Sequence, residues 1–331
     1  MSKKRILTGD RPTGRLHLGH YVGSLKNRVK LQHDYETYII VADVQALTTN
    51  FANPEKIAGD VRQVTADYLA VGINPEISTI LVQSMIPEIA ELTVYFSMIV
   101  TVNQLRHNPT IKLEAAQYGY QDLTYGFLGY PVSQAADITF CKADLVPVGG
   151  DQIPHIEQTR KIVRRFNQLY RPVFPEPEAL VGEFPRLMGL DGKSKMSKSL
   201  NNAIYLDDPA EEVKKKVSQA VTDPARIRKD DPGHPEVCTV FAYHQAFNQE
   251  ETPEIAEACR AGKIGCVACK KNLAQVINSL LEPMRERRVP YQNNPALIDD
   301  ILREGTRKAR NVAIETMKEV KAAMHLDYFP I

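Results

Sequence analysis

Arg5-Ile6-Leu7-Thr8-Gly9-Asp10-Arg11-Pro12-Thr13-Gly14-Arg15-Leu16-His17-Leu18-Gly19-His20 begins as an aliphatic run, breaks at glycines and a proline, and leads into a helical pattern from about Tyr21. A strand followed by a glycine-bearing turn and a helix is the opening unit of a parallel α/β sheet. The alternation continues along the chain. Tyr38-Ile39-Ile40-Val41-Ala42, Thr79-Ile80-Leu81-Val82-Gln83 and Leu145-Val146-Pro147-Val148 read as further strands, and residues 54–71, 86–105 and 155–170 carry apolar side chains at three- and four-residue intervals. This predicts an α/β fold built on a doubly wound parallel, Rossmann-like sheet, with ligands beyond the carboxyl ends of the strands. Residues 171–185 read as irregular and residues 189–199 as a loop rich in glycine and lysine. Past about residue 207 the strand signal fades, and 209–221, 270–288 and 295–324 read as helices. The chain thus divides into an α/β domain, 1–206, and a C-terminal helical domain, 207–331.

The composition is that of an ordinary globular chain: 331 residues, 43% hydrophobic and 24% charged, with 41 Lys plus Arg against 40 Asp plus Glu. It excludes disordered and collagen-like classes. A net charge of +1 gives no global attraction to nucleic acid, so a polyanion must be met by local patches such as Lys214-Lys215-Lys216, Arg226-Ile227-Arg228-Lys229 or Arg307-Lys308-Ala309-Arg310. Each of these reads equally as a solvated helix face. After the basic first five residues only Ile6 and Leu7 precede a polar run, so no signal-peptide core is read, and no apolar stretch reaches the length of a membrane span. The expected location is cytoplasmic, without a membrane.

Two motifs carry chemistry. His17-Leu18-Gly19-His20 places two imidazoles and a glycine where a helix begins, a plausible anion site if it is not merely a solvated turn. Lys195-Met196-Ser197-Lys198-Ser199, preceded by Lys193, crowds three ammonium groups that are more easily held together around a polyphosphate. A match to this string arises by chance in about one chain in ten thousand of this length. A P-loop is the rival reading of Gly192-Lys193-Ser194, but it needs a glycine where Leu187 stands.

In this order and context the two motifs resemble those of the class I aminoacyl-tRNA synthetases. Tyr130-Pro131-Val132-Ser133-Gln134-Ala135-Ala136-Asp137-Ile138, Val146-Pro147-Val148-Gly149-Gly150-Asp151-Gln152 and His155-Ile156-Glu157-Gln158-Thr159-Arg160 look like the bacterial tryptophanyl members, over nearly the whole chain. The resemblance implies activation of L-tryptophan with ATP and Mg²⁺, then transfer to tRNA(Trp). It makes His17, His20, Lys195 and Lys198 the catalytic residues. ATP would lie against Gly9, Arg11, Gly19, His20, Asp151, Lys195, Met196, Ser197 and Lys198. Tryptophan would lie among Leu7, Gly9, Gln45, Tyr130, Gln134, Asp137, Val146, Val148 and Gln152, with Asp137 accepting the indole N–H. Arg11 and Gln45 depart from the commonest pattern, which has Gln and His there. The tyrosyl enzymes, and a nucleotide-binding regulatory protein that lost catalysis, are the alternatives. The resemblance further implies a homodimer through an insertion at 99–125, with one tRNA across two subunits.

Cys238, Cys259, Cys266 and Cys269 are spaced Cys-x20-Cys-x6-Cys-x2-Cys, which points to a metal before a disulfide in a reducing compartment, with four unrelated buried thiols as the bland alternative. The arrangement resembles the four-cysteine motif of a subset of bacterial tryptophanyl enzymes with a [4Fe-4S] cluster. Zn²⁺ or no metal remain the alternatives, and Lys263 and Lys270 stand nearby to offset thiolate charge.

Overall fold

The computed structural model describes residues 3–181, 187–198 and 200–329; Ser199 and the side chain of Asp151 lie outside the described residues. Five strands, β1 (Arg5–Asp10), β2 (Glu36–Val41), β3 (Ser78–Val82), β4 (Leu145–Val148) and β5 (Glu178–Val181), form one parallel sheet in the order β3-β2-β1-β4-β5. The winding reverses between β1 and β4. The crevice beyond their carboxyl ends is therefore the topological place for a ligand.

Alternation along β2 explains the two cores. Ile39 and Val41 point into one apolar cluster with helix Glu55–Val71 and helix Cys266–Asn293, while Tyr38 and Ile40 point into another with helices Pro87–Ser97, Tyr125–Thr139 and Ile153–Leu169. The first cluster runs from Leu16 through Val213 and Val217 to Leu281. Packing is thus continuous across residue 206, where the secondary structure changes from mixed to helical. Among the described residues no helix is long and apolar enough to cross a membrane.

Several local readings need correction. The stretch 171–185 contains β5, missed because a short edge strand directly after Pro175 and Pro177 shows little apolar alternation. Residues 86–105 are two helices, Pro87–Ser97 and Val102–Arg106, the second started by a reciprocal cap between Thr101 and Gln104. The helix read over 270–288 spans Cys266–Asn293 and carries Pro283 and Pro290 within it.

The last helix, Ala296–Ala323, covers the outer edge of β3. Thr306 Oγ1 accepts the Val82 N–H at 3.0 Å, satisfying an edge donor. The approach is so close that a β-carbon at Gly305 would overlap the Ile80 carbonyl oxygen. Gly305→Ala is expected to lower the unfolding free energy by about 1–3 kcal/mol, the usual cost of overpacking; urea denaturation checks this, and an unchanged midpoint would mean that the helix can shift freely.

Candidate active site

β1 ends at Asp10, and the chain turns into a helical segment that starts at Leu18, three residues before the sequence suggests. His17 caps it. Its Nδ1 accepts the Gly19 N–H at 3.1 Å, while the Nδ1 of His20 accepts the His17 N–H at 3.2 Å. Two imidazoles thus form a reciprocal cap, their centroids 3.8 Å apart. Since both Nδ1 atoms accept, each neutral ring carries its proton on Nε2. Burial, then the charges of His20 and Lys198, hold His17 down at about 2, and burial, opposed in part by Asp10, holds His20 at about 4. Both rings are neutral N–H donors near pH 7, and His17 is only 6% exposed, so this is no solvated turn. Gly19 is required here because a β-carbon would stand 2.9 Å from the His17 ring.

Beneath the histidines lies Asp10. Burial raises its pKa, but Arg28 at 2.6 Å and the Tyr68 hydroxyl at 2.8 Å outweigh that and hold it at about 2. Neither Arg28 nor Tyr68 stands out in the sequence. Gly9 is read from sequence as making room for a ligand, but its first reason is the sheet itself, since a β-carbon would overlap the Ile40 carbonyl oxygen of β2. Arg11 pairs with Glu114 at 3.1 Å, tying the turn after β1 to helix Pro109–Tyr118.

The lysine loop docks beside this turn. Leu18 N–H donates to Ile204 O and Leu206 N–H to Leu16 O, both at 3.0 Å, joining the two motifs through the segment that follows the loop. The loop is shaped by Asn202, which sequence reading overlooked. Its Oδ1 accepts Ser197 N–H at 2.8 Å, and its amide N–H groups reach Asp191 Oδ1, Ser194 Oγ and Lys195 O at 3.2–3.4 Å. Lys198 Nζ donates to Gly14 O at 2.8 Å and to Thr13 Oγ1 at 3.3 Å, and burial lowers its pKa. The Met196 side chain is buried in the core, and its N–H donates to Leu187 O.

On the other side of the sheet Tyr130, Gln134 and Asp137 recur at four and three residues on helix Tyr125–Thr139 and so share a face. Leu7, Tyr130 and Val146 belong to one buried cluster, with Val148 packed against it. Gln152 ends the turn after β4, and Tyr130 Oη lies 2.9 Å from His155 Nε2. Asp137 is 3% exposed. Gln83 Nε2 donates to its two oxygens at 2.7 and 2.9 Å, and Gln45 Nε2 to Oδ2 at 3.4 Å. Burial, eased by these amides and reinforced by Asp43, pushes Asp137 up to about 7. Gln83 was read only as the end of a strand. Its position at the carboxyl end of β3 is the signal that could have marked it.

The four cysteines of the helical region do converge, lining one cavity with Thr222, Arg226 and Val240. Cys266 and Cys269 sit in the first turn of helix Cys266–Asn293, not in a loop before Lys270. The neighbouring cation is Arg226, whose Nη1 lies 3.7 Å from Cys259 Sγ and 3.9 Å from Cys266 Sγ, whereas Lys270 donates to Ser218 O. Burial and the neighbouring thiols push Cys269 up to about 12. Among the described residues no three His, Cys, Asp or Glu side chains stand as a metal-ligand set. Of the basic runs, Lys214 and Arg307 pair with glutamates one turn away, and Lys216 turns in to Asp208 at 2.6 Å.

The sequence pattern of the tRNA synthetases class I (W and Y) matches residues 2–282. The chain is 51% identical over 337 residues to a tryptophan–tRNA ligase of Clostridium longisporum, covering 99% of each, and 50% identical to that of Thermotoga maritima, covering 97% of this chain and 99% of the other. Its fold is similar to that of the tryptophanyl-tRNA synthetase of Campylobacter jejuni crystallised with ADP and tryptophan, with a TM-score of 0.86, 31% identity, and 97% and 100% of the two chains covered. A parallel sheet with its switch point at β1 and β4, two neutral imidazoles capping the first helix and a lysine loop hydrogen-bonded to that turn agree with this likeness, and the chain belongs to the class I tRNA synthetases of the tryptophan and tyrosine family.

Proposed function

We propose that this protein activates L-tryptophan with ATP to give tryptophanyl-adenylate and pyrophosphate, then transfers the tryptophanyl group to tRNA(Trp). The observation that carries this reading is the meeting of the two phosphate-binding elements, with Lys198 held 2.8 Å from Gly14 O beside the His17–His20 cap. Relatives named as tryptophan–tRNA ligases along their full length favour tryptophan over tyrosine, and an intact lysine clamp argues against a binding-only protein.

In the first step a carboxylate oxygen of tryptophan bonds to the α-phosphorus as the bond to the departing pyrophosphate breaks. The carboxylate is already ionised, so no general base is required. What remains is orientation and stabilisation of leaving-group charge. The Nε2–H groups of His17 and His20 donate to phosphate oxygens without adding a cation of their own. Lys195 and Lys198 move from their loop contacts onto the departing pyrophosphate, and Asn202 keeps the loop shaped for that movement. Mg²⁺ accompanying ATP neutralises part of the phosphate charge. Asp137 accepts the indole N–H, and Tyr130, Gln134 and Gln152 surround the rest of the amino acid. In the second step a ribose hydroxyl of the terminal adenosine attacks the tryptophanyl carbonyl and AMP leaves.

Two further elements belong to this reading. Met98, just before the insertion, and Leu113 and Tyr125 within it are 73%, 72% and 82% exposed, apolar surface suited to cover by a second copy of the chain. The chemistry of the four thiols facing one cavity, with Arg226 beside them, suits a [4Fe-4S] cluster; it would be held by Cys238, Cys259, Cys266 and Cys269 and would brace the start of helix Cys266–Asn293.

Tryptophan-dependent ATP–pyrophosphate exchange tests the activity: exchange with tryptophan and little with tyrosine is expected, and none with any amino acid sinks it. Lys198→Ala is expected to lower the exchange kcat about hundredfold while the tryptophan KM moves little. Sedimentation should give twice the mass of the chain, and Met98→Lys with Leu113→Lys should shift it to the monomer; a monomeric parent chain rules out the dimer. Anaerobically purified protein should hold about four irons and four sulfides per subunit, and colourless protein with one zinc, or with no metal, removes the cluster.

A further inference from the structure

Gln83 and Gln45 are not neighbours in sequence, yet they form one hydrogen-bonded unit around Asp137. Gln83 Oε1 accepts the Gln45 backbone N–H at 3.1 Å, which fixes the orientation of its amide and aims Nε2 at the carboxyl group. From there Nε2 reaches Oδ1 at 2.7 Å and Oδ2 at 2.9 Å. Gln45 Nε2 is steadied in turn between Asp137 Oδ2 at 3.4 Å and Tyr130 O at 3.5 Å. Both glutamines are buried, 3% and 7% exposed.

A carboxylate offers about four lone-pair sites. Oδ2 accepts two hydrogen bonds and Oδ1 accepts one, so Oδ1 retains room for a single further donor. No lysine or arginine pairs with Asp137 among the described residues, and the two amides are what offset its charge. We infer that Gln83 and Gln45 are specificity-determining positioning residues: their amides hold the Asp137 carboxyl group turned so that its one remaining acceptor site takes the indole N–H of tryptophan. The inference rests on the proposed tryptophan activity and on Asp137 as the indole reader. The glutamines act only through Asp137.

The titratable groups around this unit are Asp43, at the start of helix Asp43–Asn50, whose charge disfavours ionisation of Asp137, and the Tyr130–His155 pair on helices Tyr125–Thr139 and Ile153–Leu169. The carboxyl group sits at about 7 with both amides in place, and their hydrogen bonds are what keep it from rising further. Loss of one amide therefore moves the protonation midpoint to higher pH. The protonated form lacks the charge that makes the indole N–H contact strong.

Exchange is measured from pH 6 to 9 with tryptophan and with its benzothienyl analogue, which has sulfur in place of the N–H, for the parent protein, Gln83→Leu and the milder Gln45→Leu. In the parent, kcat/KM for tryptophan relative to the analogue should rise through pH about 7 as the carboxylate forms. Gln83→Leu should lower kcat/KM for tryptophan about ten- to hundredfold, mainly through KM, change the analogue about twofold or less, and move the rise to higher pH. Gln45→Leu should do the same to a smaller degree. A misfolded variant loses both substrates equally, and where the glutamines merely fill space leucine changes neither, so an unchanged ratio and midpoint in both variants overturns the clamp. A parent that fails to exchange with tryptophan, or an Asp137→Ala variant that keeps the full preference for tryptophan over the analogue, overturns the underlying reading instead.

Discussion

One buried carboxylate ties the site to the rest of the molecule. Asp67, fully buried on helix Glu55–Val71, accepts the Leu16 N–H at 2.8 Å from the turn before the histidines and pairs with Arg288 of helix Cys266–Asn293. Three segments far apart in sequence are thereby fixed to one point. Arg287 adds a bond to Ala70 O at 2.7 Å one turn along. Truncating one member of a buried ion pair leaves the other charged and uncompensated, at a cost of about 3–5 kcal/mol. The position of His17 and His20 over the end of β1 therefore depends on the helical region as much as on the sheet.

With that frame in place, the electrostatics of the crevice follow from burial. Two adjacent imidazoles beside Lys195 and Lys198 would repel as cations; desolvation keeps them neutral, so this corner presents N–H donors without adding charge that must be compensated. The cations are carried by the loop after the sheet, where Lys198 rests against Gly14 O and Thr13 Oγ1. Positive charge and neutral N–H donors thus come from two different elements. Around Asp137 the logic is reversed. Asp137 is a charge held by dipoles alone, which leaves it easily protonated and sensitive to each hydrogen bond it receives.

The first four strands and the motifs at the end of β1 and after the sheet were legible because they obey short-range rules: continuous apolar, β-branched runs of strands buried on both faces, a glycine where a helix begins, and a lysine string too specific for chance. What stayed hidden depends on tertiary partners. Asn202 looks like any loop asparagine until its amide is seen holding Ser197 and Lys195, and Gln83 looks like the last residue of a strand until helix Tyr125–Thr139 brings Asp137 to it. β5 escaped because an edge strand directly after two prolines needs little apolar patterning. The burial of Met196 was equally hidden: the motif marks its backbone as part of the loop, while packing sends its side chain inward.

These hidden contacts also explain why the helical region cannot be regarded as an appendage of the sheet. Thr306 takes the N–H of Val82, the residue immediately before Gln83, and Gly305 lets the helix lie against Ile80. The end of β3 therefore has its sheet partner on one side and the last helix on the other. Gln83 emerges from that joint directly onto Asp137, so the setting of the Asp137 carboxyl group is fixed jointly by β2, helix Tyr125–Thr139 and helix Ala296–Ala323. Interiors pack too densely for such a joint to yield gradually. A displacement of the last helix would have to carry β3 with it, and Gln83 with β3, which makes the surroundings of Asp137 mechanically continuous with the C-terminal helical region.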